Sequence, residues 1–142
     1  MCPGEAIRLA LHYGGLPFRD VRLSREAFRQ QRDSGALKFG QLPCLELPSK
    51  ERVFQSAAIL RLVGKRTGLY PTDEVLAARV DALMDYDADI FHGVRVLKYK
   101  ERFGFPEESF DTQLVVKALL DSVLPRHLGN LCKVLDESTT GW

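Results

Sequence analysis

The sequence lacks an excess of charge of either sign, and it lacks any long hydrophobic run. Its 20 Lys and Arg residues nearly cancel its 19 Asp and Glu residues, which leaves a net charge of +1. Such a balance gives no electrostatic drive toward nucleic acid or an anionic membrane. No apolar stretch approaches the length that spans a bilayer, and the N-terminus lacks the basic flank and apolar run of a signal peptide. We therefore expect a cytoplasmic protein without nucleic-acid or membrane partners.

Cysteine and histidine are also scarce. Cys2, Cys44 and Cys132 form an odd and widely spaced set, which favours reduced thiols over a disulfide framework. The three histidines have no ligand-like spacing to one another or to the cysteines, so we expect no metal site. Apolar residues make up 45% of the 142-residue chain, which is enough to bury a sizeable core.

The first half of the chain alternates between helix and strand patterns. These patterns predict, in order, a helix over 5–13, a strand over 19–23, a helix capped by Ser24, hairpin strands over 44–47 and 52–54, and a helix capped by Ser56. This order is most of a thioredoxin-like α/β unit. The strand that precedes the first helix of that unit is missing from the sequence.

The second half contains no strand pattern. Apolar residues at helical spacing predict a long helix that begins after Asp73 and ends before Gly104, and a second long helix that Pro125 should kink. The change of pattern predicts three parts. They are a thioredoxin-like domain over 1–67, a linker over 68–73 and part of an all-helical domain over 74–142.

A proline directly before a predicted strand is the first candidate binding feature. Pro43 cannot donate a ladder hydrogen bond. A cis Leu42–Pro43 peptide would turn the N–H and carbonyl of Leu42 outward, where they could pair with an extended peptide ligand. The alternative is an ordinary trans proline at a strand start, which is the commoner isomer.

The pair Gln55-Ser56 at a predicted helix start is the second candidate feature. The free N–H groups and the positive end of that helix would attract a carboxylate, and the hydroxyl of Ser56 would add a donor. The alternative is that Ser56 only caps its own helix.

Together these segments resemble the cytosolic glutathione transferases. Residues 5–9, 39–43 and 55–61 look like the three landmarks of the glutathione-binding domain in that family. Residues 68–71 resemble its linker, and residues 80–83 resemble the opening of its helical domain. The style is closest to the sigma-like class, which includes glutathione-dependent prostaglandin D synthases. The resemblance covers nearly the whole chain, and it implies that the chain is truncated at both ends.

The resemblance implies how glutathione would be held. Leu42, before Pro43, would offer its backbone pair to the cysteinyl part, and Gln41 would lie against the tripeptide backbone. Gln55 and Ser56 would take the γ-glutamyl carboxylate.

Three further positions follow from the same resemblance. Phe28 stands where the family usually has Trp, and Arg32 stands where it has a Lys for the glycyl carboxylate. Asp89 matches an acidic position that reaches the γ-glutamyl amine bound in the other subunit, which implies a homodimer. The alternative for Asp89 is a solvated acidic face.

The implied activity is the conjugation or isomerisation of small hydrophobic electrophiles with glutathione as co-substrate and without a metal. The catalytic Tyr of the family, which activates the glutathione thiol, would precede Met1, so the chain as written has no catalytic residue. Two alternatives stay open. One is a thiol transferase that uses Cys2, because Cys2-Pro3 resembles glutaredoxin-like and omega-class sites. The other is a non-catalytic glutathione-binding module.

Overall fold

The computed structural model describes residues 4–138. Its elements in chain order are α1 (Glu5–Tyr13), α2 (Arg25–Asp33), β1 (Cys44–Glu46), β2 (Arg52–Phe54), α3 (Ser56–Thr67), α4 (Glu74–Lys98), α5 (Thr112–Ala118) and α6 (Leu124–Asp136). A 3₁₀ turn (Lys100–Phe103) follows α4, and a π-helical segment (Leu119–Val123) joins α5 to α6.

The chain divides into two compact units between Met84 and Asp85, within α4. We call them the first unit and the second unit. The predicted domain limits at residues 67 and 74 stay a prediction.

The core of the first unit lies between α1 and α3. Ile7 and Leu11 recur at helical spacing on α1 and meet Ile59 and Val63 of α3, and all four side chains are buried. Leu45 of β1 and Val53 of β2 pack against this cluster. The core therefore fixes the hairpin strands relative to the helix that follows them.

Gly14 allows the two core helices to approach closely. A Cβ atom at Gly14 would lie only 2.1 Å from Cγ2 of Thr67 on α3. The backbone after Gly14 reverses through Gly15, whose φ of +66° suits glycine best. The predicted end of α1 at this glycine pair is confirmed.

Helix α2 begins as the sequence predicts. The hydroxyl of Ser24 accepts a hydrogen bond from the Ala27 N–H at 3.1 Å, which satisfies one free donor of the first turn. After α2 the chain folds back through Leu37, which is buried. The Leu37 carbonyl accepts from the Gly40 N–H at 2.8 Å, so the loop between α2 and β1 is closed just before Gln41.

Strands β1 and β2 form an antiparallel hairpin, as predicted. Cys44 pairs with Phe54 and Glu46 pairs with Arg52. In the described part of the chain they make a two-stranded sheet. Because Cys44 stands opposite Phe54, the residues before β1 and after β2 lie at the same end of the hairpin.

The predicted strand over 19–23 is wrong. Those residues have no regular secondary structure, although polar and apolar side chains alternate along them. A strand needs a neighbour that completes its hydrogen-bond ladder, and the ladder described here joins only β1 to β2. Arg8 and Arg22 instead fix this segment through Asp20, whose carboxylate accepts from both guanidinium groups at 2.9 Å.

The predicted helical pattern of the second half is confirmed, and residues 68–138 contain no strand. Asp73 caps α4 by accepting from the Leu76 N–H at 2.8 Å. The predicted interruption at Pro125 takes the form of the π-helical segment that ends directly before α6. Proline lacks the N–H of a regular helical bond and its ring crowds the preceding turn, which favours a local widening.

The second unit packs α4 against the helices that follow. Ile90 and Leu119 are buried, and a Cβ at Gly93 would lie 2.7 Å from Cδ2 of Leu119. The Tyr86 hydroxyl lies 2.7 Å from Nδ1 of His127, which is also buried. Within residues 4–138, no helix combines the length and apolar character that crossing a membrane requires.

Candidate functional site

The Leu42–Pro43 peptide is cis, which confirms the prediction made from its position before β1. Leu42 is exposed, whereas Pro43 and Gln41 are half-buried. Within residues 4–138, the N–H and carbonyl of Leu42 make no hydrogen bond to another backbone group. An extended ligand could therefore pair with both groups as a neighbouring strand would.

Gln55 and Ser56 lie at the start of α3, but their parts differ from the prediction. The expectation that Ser56 caps the helix is wrong, because Ser56 is the first helical residue and Gln55 occupies the cap position. The Gln55 carbonyl accepts the first helical bond from the Ile59 N–H at 3.0 Å. Neither side chain caps the helix, which leaves the amide of Gln55 and the hydroxyl of Ser56 for another partner.

The backbone of Gln55 has φ 72° and ψ 121°, a combination that non-glycine residues rarely adopt. Such geometry costs about 1–3 kcal/mol, and it persists where the surrounding structure enforces it. Nothing in the local sequence marks this conformation, because a glycine would be expected at such a φ.

The hairpin brings the two candidate features together. The pairing of Cys44 with Phe54 places Pro43 and Gln55 one residue beyond the same end of the ladder. Phe39 contacts Phe54 edge to face with ring centroids 6.1 Å apart, which ties the loop before Gln41 to the end of β2. An exposed backbone edge and a helix N-terminus thus flank one hairpin end.

Arg32 and Phe28 on α2 belong to the same region. The guanidinium carbon of Arg32 lies 6.0 Å from the centre of the Phe28 ring. The aliphatic stem of Arg32 lies beside Gly40, because a Cβ on that glycine would be 3.6 Å from Cγ of the arginine. Gly40 directly precedes Gln41, so the side chain of Arg32 on α2 lies beside the loop that carries Leu42.

Asp89 lies on α4 in the second unit, where its side chain is exposed. Two nearby aspartates have structural partners. Asp81 accepts from Arg61 at 2.6 Å and from the Tyr70 hydroxyl at 2.9 Å, and Asp87 pairs with Arg95. Asp89 makes no ion pair within residues 4–138, so the acidic run is not a single uniform face.

The link from Asp81 to Arg61 and Tyr70 was not foreseen from the sequence. The Arg61 guanidinium, helped by the Tyr70 hydroxyl, holds the pKa of Asp81 below its usual value. The same carboxylate raises the pKa of Tyr70, because it accepts the phenol proton in a hydrogen bond. The group ties α3 to the start of α4 within the first unit.

Two of the three thiols, those of Cys44 and Cys132, lie in the described residues. Cys44 is half-buried, and burial raises the pKa of its thiol. Cys132 lies on α6, where it is exposed although apolar residues recur along that helix. Cys2 lies outside the described residues. Within residues 4–138, no group of three His, Cys, Asp or Glu side chains is arranged to hold a metal ion.

Comparison with known proteins gives consistent results. No protein-family model matches the chain. The chain is 37% identical over 139 residues to glutathione S-transferase 1 of Ascaris suum, a match that covers 95% of the chain and 63% of that protein. It is 30% identical over 135 residues to a glutathione S-transferase of Anopheles gambiae, covering 95% of the chain and 62% of the relative. The chain thus spans slightly less than two thirds of these relatives.

Solved structures show the same relationship. A nematode-specific transferase of C. elegans superimposes with a TM-score of 0.80 at 27% identity, covering 96% of the chain and 64% of that structure. Prostaglandin synthase D of Nilaparvata lugens gives a TM-score of 0.79 at 26% identity, covering 95% of the chain and 63% of that structure. A hookworm transferase of Necator americanus, which superimposes with a TM-score of 0.70 at 28% identity, is described as monomeric. These structures confirm a thioredoxin-like α/β part followed by an all-helical part.

Proposed function

We propose that this chain, which is similar to glutathione S-transferases over nearly its whole length, is a member of that family that binds glutathione and conjugates or isomerises small hydrophobic electrophiles with it. The observation that carries the proposal is the pairing of Cys44 with Phe54. It sets the exposed backbone of Leu42 beside the start of α3. A tripeptide with a carboxylate at each end fits a site that offers a backbone edge, a helix N-terminus and a separate cation.

The proposed site holds the cysteinyl and γ-glutamyl parts of glutathione at the end of the hairpin and the start of α3. The N–H and carbonyl of Leu42 pair with the cysteinyl residue, and Gln41 lies along the tripeptide backbone. The N-terminus of α3, the Gln55 amide and the Ser56 hydroxyl bind the γ-glutamyl carboxylate, which the helix dipole attracts.

The other end of the tripeptide reaches α2. Arg32 binds the glycyl carboxylate, and its planar fork suits a carboxylate better than a single ammonium does. The guanidinium of Arg32 lies over the Phe28 ring, which attracts it through a cation–π interaction. This assignment rests on the position of the Arg32 stem beside Gly40, the residue before Gln41.

The chemistry of the proposed reaction belongs to the glutathione thiol. In conjugation the thiol first gives its proton to a base or to solvent, and the thiolate sulfur then bonds to an electrophilic carbon. The electron pair displaced at that carbon departs with a leaving group or, in an addition to a double bond, takes up a proton at the far atom of that bond. The thiolate is the nucleophile, so the rate depends on how far the protein lowers the pKa of the bound thiol. The site as proposed fixes the position of that sulfur through both neighbours of the cysteinyl residue.

Binding of glutathione to the full chain by isothermal titration calorimetry tests this proposal. We expect Ser56→Ala to weaken binding roughly tenfold, since a hydrogen bond to a charged group is lost. Ser49→Ala is the matched control, because the Ser49 hydroxyl bonds Glu51 in the exposed hairpin turn. Equal affinity of Ser56→Ala and Ser49→Ala would refute the assignment of the α3 N-terminus.

We also propose a sigma-like class, a cytoplasmic location and a homodimer in which Asp89 reaches the γ-glutamyl amine bound by the partner. The exposure of Asp89 and its lack of an ion pair within residues 4–138 support this role. Light scattering should give twice the chain mass, and Asp89→Asn should weaken glutathione binding without changing that mass. A monomer that binds glutathione with unchanged affinity after Asp89→Asn would contradict the shared site.

A further inference from the structure

Asp33 contacts the cation to which we assign the glycyl carboxylate. The Arg32 Nε–H donates to Oδ1 of Asp33 at 2.8 Å. Both heads are accessible to a ligand, since 47% of the Arg32 side chain and 65% of the Asp33 side chain are exposed. The two residues are consecutive at the end of α2, so one turn of helix sets the position of both.

The bond uses one edge of the guanidinium. Asp33 accepts only from the Nε–H of Arg32. Within residues 4–138, the two terminal amino groups of Arg32 make no hydrogen bond. Those two groups form the end of the fork, which binds a carboxylate through two parallel bonds. A partner at Nε limits rotation of the fork while leaving its end open.

Two other contacts restrict the same side chain. The centre of the Phe28 ring lies 6.0 Å from the guanidinium carbon, and Cγ of the stem lies 3.6 Å from the place where a Cβ on Gly40 would stand. Gly40 has a φ of +63°, a conformation that glycine adopts without strain, and the stem lies beside it. Arg32 therefore has a neighbour at its stem, at its face and at its Nε edge.

We propose that Asp33 is a positioning residue that holds the Arg32 fork toward the glycyl carboxylate of glutathione and so makes the site selective for ligands that carry this carboxylate. The inference rests on the proposed function. Nothing in it requires Asp33 to touch the ligand.

Charge alone predicts the opposite effect. The Asp33 carboxylate repels a ligand carboxylate nearby, so its removal should tighten binding if Asp33 contributes only an electrostatic field. If Asp33 orients the fork, its removal should weaken binding, because the freed guanidinium must be ordered when the ligand binds. The sign of the change separates the two explanations.

The test measures the affinity of the full chain for two ligands by calorimetry. One ligand is glutathione, and the other is glutathione whose glycyl carboxylate is converted to an amide. We expect Asp33→Ala to weaken glutathione binding roughly threefold to fivefold, as for an exposed ion pair, and to leave the amide unchanged. Asp33→Asn keeps an acceptor for Nε and should restore most of the loss.

Glu26→Gln is the matched control, because Glu26 is an exposed acidic residue of α2 that makes no ion pair within residues 4–138. It should leave both affinities unchanged. Tighter or unchanged glutathione binding by Asp33→Ala, or equal weakening of both ligands, would overturn the positioning role. If the unmodified chain bound neither ligand, the proposed function itself would fail, whereas binding of both ligands with equal affinity would refute only the selectivity.

Discussion

Gln55 and Lys50 share a backbone feature but differ in their place in the structure. Both have positive φ, 72° for Gln55 and 71° for Lys50, and they are the non-glycine residues with this feature in the described part of the chain. Lys50 stands in the exposed hairpin turn, where its backbone helps to reverse the chain. Gln55 stands at the cap of α3, where we propose that its amide meets the ligand.

We predict that glycine at these two positions separates stability from binding. Gln55→Gly and Lys50→Gly should each be more stable than the corresponding alanine variant by about 1 kcal/mol, because glycine relieves the positive φ. Of the two glycine variants, Gln55→Gly should weaken glutathione binding. Chemical denaturation and calorimetry measure the two quantities. Weakened binding by Lys50→Gly, or unchanged binding by Gln55→Gly, would contradict the assigned role of Gln55.

At the scale of elements, helices α1 and α3 pack closely against each other at Gly14. The Cβ of an alanine at Gly14 would overlap Cγ2 of Thr67, so one helix would have to move. Gly129 on α6 has nothing within 4 Å of the corresponding position. A glycine-to-alanine substitution therefore has no room at Gly14 and ample room at Gly129.

We predict that Gly14→Ala lowers the free energy of unfolding by about 1–3 kcal/mol through overpacking. Gly129→Ala, the control, should raise it by about 0.5–1 kcal/mol, because alanine favours the helix. Thermal or urea unfolding measures both changes. A neutral or stabilising Gly14→Ala would show that α1 and α3 are not packed as closely as described.

The segment over 19–23 shows where a sequence pattern is insufficient. Its alternation is typical of a strand, but a strand exists only if a neighbour completes its hydrogen bonds. We predict that its backbone amides exchange with solvent rapidly, whereas those of Ile59 and Val63 in α3 are protected. Hydrogen exchange followed by mass spectrometry checks this difference. Protection of residues 19–23 comparable to that of α3 would contradict the structure.

The sequence predicted most elements because their signals are local. Ser24 and Asp73 cap helices with their own side chains, Gly14-Gly15 ends α1, and Cys44 and Arg52 begin the hairpin strands. Tertiary geometry was not accessible in the same way. The positive φ of Gln55 lies at the junction of β2 and α3, and nothing in the local sequence marks it. Nothing in the local sequence marks the bond between Asp81 and Arg61 either. The cis isomer of Leu42–Pro43 was predicted from its position before β1 together with the family resemblance, since the local sequence alone favours the commoner trans isomer.

At the scale of the whole molecule, three carboxylates in the first unit share one electrostatic property. Arg22 and Arg8 lower the pKa of Asp20. Arg52 lowers the pKa of Glu46, and Arg61 lowers the pKa of Asp81. A lowered pKa in the folded state stabilises the fold above the unfolded pKa, and this contribution is lost as the pH falls through the folded pKa.

We predict that the melting temperature of the chain changes little above pH 5 from these groups and falls as the pH drops below their unfolded pKa values of 3.8 to 4.5. Asp81→Asn should melt at a lower temperature at pH 7 and lose less on acidification, because it no longer titrates. Scanning calorimetry from pH 3 to 7 measures both. Parallel pH profiles for Asp81→Asn and the unmodified chain would contradict the role of Arg61.

We propose that one hairpin end, the start of α3 and the end of α2 together form a single glutathione site. The most direct measurement is a titration of the isotope-labelled chain with glutathione, followed by NMR of backbone amides and arginine side chains. We predict that the largest shifts occur at the amides of Gln41, Leu42, Gln55 and Ser56 and at the guanidinium of Arg32, all with one dissociation constant. Shifts confined to other residues, or different dissociation constants for α2 and α3, would contradict the account.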